Sequence, residues 1–254
     1  MDDYYELTAS WNAKFWQRFG GKPDLTGLSC LDLGCGVGAL TIDIAASGAS
    51  RVLGIDPDSE RIALATDILE RQHPELIPRV KLRPIRIQEL SADGEQFDLI
   101  VARDTFEHIQ DLAEVLSEAS RVLRVGGILY AGFGPLWKSP FGDHHLLGLK
   151  LPWAHLVLFP GLPSGRQFRW RQGRVDLVRR ELNFLTLHEL EDLFRASPLQ
   201  VHDMRVNVSR NPVMTVFSLL SRASVMKDYF TVNVYSILTK PGESTAGVPA
   251  RSPA

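Results

Sequence analysis

A run of closely spaced glycines near the start of the chain constrains the fold more than any other feature. It reads Leu31-Asp32-Leu33-Gly34-Cys35-Gly36-Val37-Gly38-Ala39-Leu40. Glycines at this density let a buried strand turn sharply into a helix and let a ligand approach the backbone closely. The run therefore predicts a strand, a tight loop and a helix, with a ligand lying over the loop.

A second feature strengthens this prediction. About 20 residues after the glycines, the next apolar segment ends in Gly54-Ile55-Asp56-Pro57, the position from which an acidic side chain accepts two hydrogen bonds from a ribose diol. Together the two segments predict a site for a nucleoside cofactor.

The pattern from Ser29 to about Gly134 alternates short apolar runs with amphipathic segments, which is typical of βαβ units around a parallel sheet. The predicted strands are Cys30–Leu33, Arg51–Ile55, Val80–Ile87, Phe97–Ala102 and Gly127–Phe133, and the predicted helices are Ala39–Ser47, Ser59–Gln72 and Asp111–Arg124, the last stopped by Gly126-Gly127. We expect an α/β fold: a Rossmann-like, doubly wound, seven-stranded and mainly parallel sheet with helices on both faces and an insertion after the fifth strand.

The C-terminal part supplies the remaining two strands. Thr186-Leu187-His188-Glu189 has the spacing of a capping box and predicts a helix to about Ala196. Leu199–Val208 and Tyr229–Thr239 alternate as strands that pair antiparallel at the sheet edge, with a helix over Val213–Met226 between them.

We therefore expect a single domain over residues 1–240. It divides into an N-terminal helical cap (1–28), a cofactor-binding core (29–134), a lid or substrate insertion (135–185) and a C-terminal helix with a strand pair (186–240). The Pro/Gly/Ser/Ala-rich residues 241–254 are expected to be a disordered tail.

The glycine spacing selects between cofactor classes. Dinucleotide sites carry G-x-G-x-x-G, whereas this chain has G-x-G-x-G preceded by Asp32. The loop resembles that of class I S-adenosylmethionine-dependent methyltransferases, nearest to the UbiE/methyltransferase type 11 group. The resemblance continues in order through Asp56, the strand from Phe97 to Val101, Phe106-Glu107-His108-Ile109 and the segment from Arg121 to Gly127.

This resemblance implies S-adenosylmethionine as cofactor and S-adenosylhomocysteine as product. It implies that the glycine loop lines the methionine portion, that Asp32 anchors the amino group, that Asp56 binds the ribose, and that Arg103 and Asp104 border the methionine end through their backbone. The implied cofactor-binding set is Asp32, Gly34, Cys35, Gly36, Gly38, Asp56, Pro57, Ile87, Gln88, Arg103 and Asp104.

The chain departs from its relatives at Arg86. Relatives commonly place an aspartate there, which holds the adenine amino group, but arginine has no acceptor. We expect the backbone of Ile87 and the side chain of Gln88 to hold the ring instead. The departure leaves open a non-catalytic module that binds the cofactor.

Methyl transfer chiefly needs alignment and exclusion of water, and a base helps when the acceptor is a hydroxyl. His144 and His145, just beyond the fifth strand, are the candidate catalytic residues, with a plain surface turn as the alternative. Together with Asp143 they offer metal-ligand atoms, but no second ligand cluster follows, and no metal site is predicted.

The composition of the insertion suggests the acceptor. Its aromatic residues suit an apolar or aromatic small molecule, methylated at oxygen in specialised or lipid-like metabolism. Packing of the lid onto the sheet is the alternative and explains most of them. These aromatics are Trp137, Phe141, Trp153, Phe159, Phe168, Trp170 and Phe184. Six nearby arginines suit a substrate anion, a solvated surface or contact with a membrane surface. They are Arg166, Arg169, Arg171, Arg174, Arg179 and Arg180.

Overall charge, cysteine content and the apolar segments bear on the partners and the location of the protein. Lys+Arg number 28 against 30 Asp+Glu, so no net positive field attracts nucleic acid. Both cysteines lie in one apolar segment, and the start lacks the features of a secretory signal, which favours the cytoplasm. The apolar stretch Leu151–Ser164 is too short to span a bilayer. A nicotinamide-dependent oxidoreductase on the same type of sheet stays as an alternative, and the oligomeric state stays open.

Overall fold

The computed structural model describes residues 2–90, 94–208, 212–224 and 226–242. Seven strands form one sheet: β1 (Ser29–Leu33), β2 (Arg51–Ile55), β3 (Val80–Arg83), β4 (Phe97–Arg103), β5 (Leu123–Phe133), β6 (Gln200–Val206) and β7 (Val234–Thr239). The helices of the first part are α1 (Asp2–Ala9), α2 (Asn12–Arg18), α3 (Ala39–Ala46), α4 (Ser59–Gln72), α5 (Ile87–Leu90) and α6 (Leu112–Val122). Those of the second part are α7 (Ala154–Leu158), α8 (Gln172–Glu181), α9 (Leu187–Ala196), α10 (Pro212–Leu220) and α11 (Lys227–Phe230).

The strand order is β3-β2-β1-β4-β5-β7-β6. The first five strands run parallel, and β7 lies antiparallel between β5 and β6. This confirms the predicted α/β class and the antiparallel pair at the edge. The chain reverses its winding between β1 and β4, and a crevice at the carboxyl ends of the strands is expected at such a switch point.

Successive residues of β1 face opposite sides of the sheet, and all five are buried. Leu31 belongs to the cluster under α6 and α9, whereas Cys30 belongs to the cluster under α2 and α3. A strand covered on both faces is mostly apolar, which is why this segment shows no regular alternation with polar residues; its Asp32 lies near the end that leads into the glycine loop. The two layers of helices fix the glycine loop at the end of β1.

The N-terminal helices belong to the second of these layers. Phe15, Trp16 and Phe19 are buried, and the Trp16 indole donates to Asp43 Oδ2 at 3.0 Å. Tyr4 and Trp11 remain exposed. Docking on the core therefore accounts for most of the aromatic residues in these two helices.

Several predicted boundaries are wrong. The third strand ends at Arg83 rather than Ile87, because Pro84 has no amide hydrogen for the ladder, and Ile87 begins α5. The helix α6 ends at Val122, since Leu123 pairs with Phe97; Gly126 and Gly127 therefore lie inside β5 instead of capping the helix.

Two further boundaries are wrong near the sheet edge. The helix predicted over Val213–Met226 ends at Leu220. The last strand begins at Val234, because the chain from Lys227 to Phe230 forms α11.

The insertion packs on itself as well as on the sheet. Residues 135–185 contain α7 and α8 around a separate apolar cluster that includes Trp137, Phe159 and Val178. In the described part of the chain, no helix has the length and apolarity needed to cross a bilayer. The predicted tail beyond residue 242 lies outside the described residues.

Candidate functional site

The glycine loop is fixed to the end of β2 by its own backbone. The amides of Gly34 and Cys35 both donate to the carbonyl oxygen of Ile55, at 2.8 and 3.0 Å. Gly34 has a φ of +75°, and a Cβ there would lie 2.5 Å from the side chain of Thr105, so this position tolerates no side chain. The loop therefore holds one conformation relative to β2.

Gly36 presents the open side of the loop. Its φ is +53°, and a Cβ added there would meet no atom within 4 Å. Gly38, in contrast, has a φ of +79° at the start of α3, and its Cβ would lie 3.1 Å from that of Ala65. Gly38 thus serves helix packing, and Gly36 is where a ligand can approach the backbone.

Asp56 faces this open side from the end of β2. The side chain is buried: Oδ2 accepts the Gly36 amide hydrogen at 3.0 Å, and Oδ1 accepts that of Asp58 at 2.9 Å. A carboxylate has about four lone-pair sites, so each oxygen keeps acceptor capacity for a further donor. Two adjacent hydroxyls, as in a ribose, match this arrangement.

Asp32 lies beneath the loop. It is buried, and its Oδ2 accepts the Thr41 hydroxyl hydrogen at 2.6 Å. Burial raises the pKa of Asp32 to about 6, against the opposing effects of the Thr41 hydrogen bond and the positive charge of Arg103. A cationic amino group nearby would stabilise the charged form of this carboxyl.

A cleft of about 480 Å³ opens at the carboxyl ends of the parallel strands. Of the predicted cofactor set, Gly34, Pro57, Ile87 and Gln88 line it. Its volume lies within the range of small-molecule sites, roughly 300–1,000 Å³. The structure therefore brings the ends of β1 and β2 and the start of α5 to one cavity.

One wall of this cleft contains the residues expected to hold a base ring. The Gln88 side-chain amide donates to Glu114 Oε2 at 2.8 Å, which leaves the Gln88 carbonyl oxygen as an acceptor. Arg86 and Asp111 line the same wall. Sequence reasoning missed Asp111 and Glu114, because their only local signal is that of a helix start.

Arg103 and Asp104 lie in a neighbouring hollow rather than in the cleft. This hollow of about 250 Å³ is bordered by α2 and includes Lys14 and Arg18. Arg103 donates to the Asn12 side-chain oxygen, and the Asp104 amide donates to Gly132 O at 2.8 Å.

The two predicted catalytic histidines point in different directions. Both have positive φ values. His144 Nε2 lies 2.9 Å from Pro135 O, whereas His145 is exposed and its Nδ1 lies 3.3 Å from Leu149 O. Neither lines the cleft.

His108, which the resemblance only suggested, links His144 to the cleft. Its side chain lines the cleft, its Nδ1 lies 2.7 Å from Glu181 O, and its ring meets that of His144 edge to face at 5.5 Å. Burial lowers the pKa of His144 to about 4, so that ring is neutral. A carbonyl only accepts, so His108 donates from Nδ1, and in the neutral ring Nε2 is the nitrogen that can accept.

Glu107 is a buried carboxyl that sequence reasoning gave no role. It is 4% exposed; Oε1 accepts the Gly134 amide hydrogen at 3.1 Å, and Oε2 has no hydrogen-bond partner among the described residues. Burial, and then the charge of Asp104, raise the pKa of Glu107 to about 8. At neutral pH the side chain is therefore mostly protonated.

Arg180 completes the cleft from the insertion. It belongs to α8 and lines the same cavity as His108. Within the described residues, no group of three or more His, Cys, Asp and Glu side chains is arranged to hold a metal ion.

Comparison with known families and sequences identifies a match in the core. Residues 31–131 match a family model described as a methyltransferase domain. The ubiquinone biosynthesis O-methyltransferase of Methylobacterium sp. (strain 4-46) is 39% identical over 111 residues, which cover 44% of this chain and 43% of that protein. That of Rhodopseudomonas palustris (strain TIE-1) is 29% identical over 206 residues, 76% and 74% of the two chains. The chain thus spans less than half the length of the Methylobacterium relative.

Solved structures share the fold at low identity. A S-adenosylmethionine-dependent methyltransferase from Mesorhizobium loti superposes with a TM-score of 0.60 at 15% identity, covering 91% of this chain and 97% of that one. A geranyl diphosphate methyltransferase in complex with S-adenosylmethionine gives 0.57 at 14% identity, covering 91% and 85%.

Proposed function

We propose that this chain, which belongs to the class I S-adenosylmethionine-dependent methyltransferases, transfers a methyl group from that cofactor to a hydroxyl oxygen of a small, largely apolar or aromatic molecule. The observation that carries the proposal is the open face of Gly36, whose amide binds Asp56, next to a cleft of about 480 Å³ that Gly34, Ile55 and Pro57 line.

The proposed cofactor contacts follow from this geometry. Asp56 accepts the ribose hydroxyls, the loop from Gly34 to Gly36 supports the methionine portion, and Asp32 attracts the amino group. Gln88, with Glu114 beside it, supplies acceptors for the adenine amino group in place of the missing aspartate. Arg86 contributes a planar cation to the same wall.

The transfer is a displacement in which few protein groups take part. The bound cofactor supplies a methyl group on a cationic sulfur; a bond forms between the acceptor oxygen and that carbon, and the electron pair of the broken carbon–sulfur bond stays on sulfur. The acceptor loses its hydroxyl proton. We assign that proton to Nε2 of His108, with the neutral ring of His144 holding the His108 ring in place.

The choice of acceptor rests on the insertion and on the relatives. Residues 135–185 place Arg180 in the cleft wall and the His144 ring against His108. They also contain the apolar cluster that includes Trp137 and Phe159. The relatives named above are O-methyltransferases of ubiquinone biosynthesis, which supports oxygen as the atom methylated and a lipid-like acceptor. Cys30 and Cys35 are buried free thiols, which fits a reducing compartment, and we propose the cytoplasm.

The test is formation of S-adenosylhomocysteine with a panel of phenols and catechols that carry apolar chains. We expect product with at least one member, and loss of both product and cofactor binding in Gly36→Val. Gly27→Val is the matched control, since Gly27 has a similar positive φ of +76° and equally open surroundings. Equal cofactor binding by both variants would contradict the proposed site.

A second candidate is a non-catalytic module that binds the same cofactor, and Arg86 is the observation that favours it. In that case S-adenosylhomocysteine binds and Gly36→Val abolishes binding, but no acceptor is methylated. The matched methyltransferase domain and the G-x-G-x-G spacing give the nicotinamide-dependent alternative no support.

A further inference from the structure

Two helices outside the cleft expose apolar side chains to solvent. On α7, Val157 is 76% exposed, and Leu158 is also exposed. The next residue, Phe159, is buried and stacks at 5.2 Å on Trp170, which is itself exposed. Exposed valine and leucine beside an exposed tryptophan are typical of a surface that contacts another phase or partner.

The second helix, α10, has no buried residue along its length. Val213, Val216 and Leu219 are all exposed. They recur at three-residue steps and therefore share one side of the helix. Val216 and Leu219 line an open hollow of about 580 Å³ together with Arg205 and Arg222. A contiguous exposed apolar surface of this kind is typical of a contact site.

The two helices adjoin. Trp153, immediately before α7, lies 6.2 Å from the Phe217 ring of α10, and both rings contact Phe230. We call the exposed side chains of these helices the apolar face: Val157, Leu158, Val213, Val216 and Leu219.

The segments that carry the apolar face have a net positive charge. Residues 135–185 contain eight Lys+Arg against three Asp+Glu, and residues 200–230 contain four against two, in a chain whose total charge is −2. Arg166, Arg169, Arg171 and Arg174 form no ion pair with a described carboxylate. Arg171 and Arg174 donate to the carbonyls of Leu147 and Leu146, contacts that position the guanidinium groups without neutralising them.

We infer that the apolar face docks on an anionic phospholipid surface. Aliphatic side chains of this kind enter the boundary between headgroups and acyl chains, exposed tryptophan lies at headgroup depth, and arginines pair with lipid phosphates. A second copy of the chain is a poorer occupant, because a symmetric contact would bring the two positive surfaces together.

The insertion, residues 135–185, links the apolar face to the cleft. The same segment that carries α7 contributes Arg180 to the cleft wall and places the His144 ring against His108. An apolar acceptor dissolved in the bilayer would therefore reach a cleft built partly from the docked element. The inference goes beyond the proposed function, and its test requires no acceptor.

The test is sedimentation of the full chain with phosphatidylcholine vesicles, with and without phosphatidylglycerol. We expect the wild type to bind only the anionic vesicles and to be released by salt. The doubly substituted Val157→Glu/Val216→Glu should bind at least about tenfold more weakly. Val125→Glu is the matched control, because Val125 is 68% exposed on β5 and lies outside the apolar face; it should bind like the wild type.

A second pair of variants tests the charge. Arg169→Glu should weaken binding about tenfold or more, since reversal changes two unit charges worth about 1 kcal/mol each near such a surface. Arg79→Glu makes the same change at an exposed arginine near β3 and should have little effect. Thermal unfolding of each variant verifies that it is folded.

Three outcomes would overturn the inference: no binding by the wild type, equal binding to neutral vesicles, or equal loss in the control variants. Sedimentation velocity tests whether a second copy of the chain covers the apolar face. A dimer that Val157→Glu abolishes, in a protein that binds no vesicles, would show that it does. Failure of the proposed function appears differently, as vesicle binding without any methylated product.

Discussion

Replacement of Asp56 tests the cofactor site most directly. The carboxylate accepts the amides of Gly36 and Asp58 and has capacity for two ribose hydroxyls. A hydrogen bond to a charged group contributes about 1.5–3 kcal/mol, so loss of both hydroxyl contacts in Asp56→Ala should weaken S-adenosylhomocysteine binding by about 3–6 kcal/mol, or roughly a hundredfold to ten-thousandfold. We expect the lower part of this range, because water replaces part of the lost contacts.

Isothermal titration calorimetry measures the effect. Asp56→Asn keeps one oxygen acceptor and should lose about half as much binding free energy. Asp58→Asn is the matched control: Asp58 caps α4 by accepting the amides of Glu60 and Arg61, a role asparagine can fill, and its affinity should stay within about twofold. A loss below about tenfold in Asp56→Ala, or an equal loss in Asp58→Asn, would refute a ribose held by this carboxylate.

Three further substitutions probe the site. Gly34→Ala should lower the free energy of unfolding in urea by about 2–4 kcal/mol, whereas Gly27→Ala, with the same positive φ but open surroundings, should lose only about 1 kcal/mol; equal losses would show that the loop can relax. Folding raises the pKa of Glu107 from 4.5 to about 8, so the folded state binds this proton more tightly than the unfolded state does. Glu107 therefore makes the free energy of unfolding decrease as the pH rises from 4.5 to about 8. Urea unfolding across this range should show a smaller fall in Glu107→Gln, and parallel curves would contradict the raised pKa. His144→Ala should lower turnover about tenfold or more while cofactor affinity stays within twofold. His145→Ala should change neither turnover nor cofactor affinity, and a larger loss of turnover in His145→Ala than in His144→Ala would make His145 the catalytic group.

The sequence predicts the strand, glycine loop and helix well because the determinants of that geometry are local. A glycine loop between a buried strand and a helix, followed by an acid at the next strand end, defines a geometry that backbone sterics alone impose. The positive φ of Gly36 and the hydrogen bond from its amide to Asp56 are the structural counterparts of that pattern.

The acceptor half depends on contacts between distant segments, which local patterns do not contain. His108 meets His144 across 36 positions, and nothing near Glu107 indicates that its carboxyl is buried beside Gly134. Two successive left-handed residues turn His144 and His145 apart, and histidine favours that conformation too weakly to predict it from the sequence.

The hydrogen bonds from Gly34 and Cys35 to Ile55, and from Gly36 to Asp56, join two strand ends into one preassembled cradle. This wall of the cleft is therefore formed before a ligand binds, and binding of the methyl donor needs little rearrangement there. Under the proposed function, exchange of product for the next acceptor therefore depends on the opposite wall of the cleft, which Arg180 and His108 line.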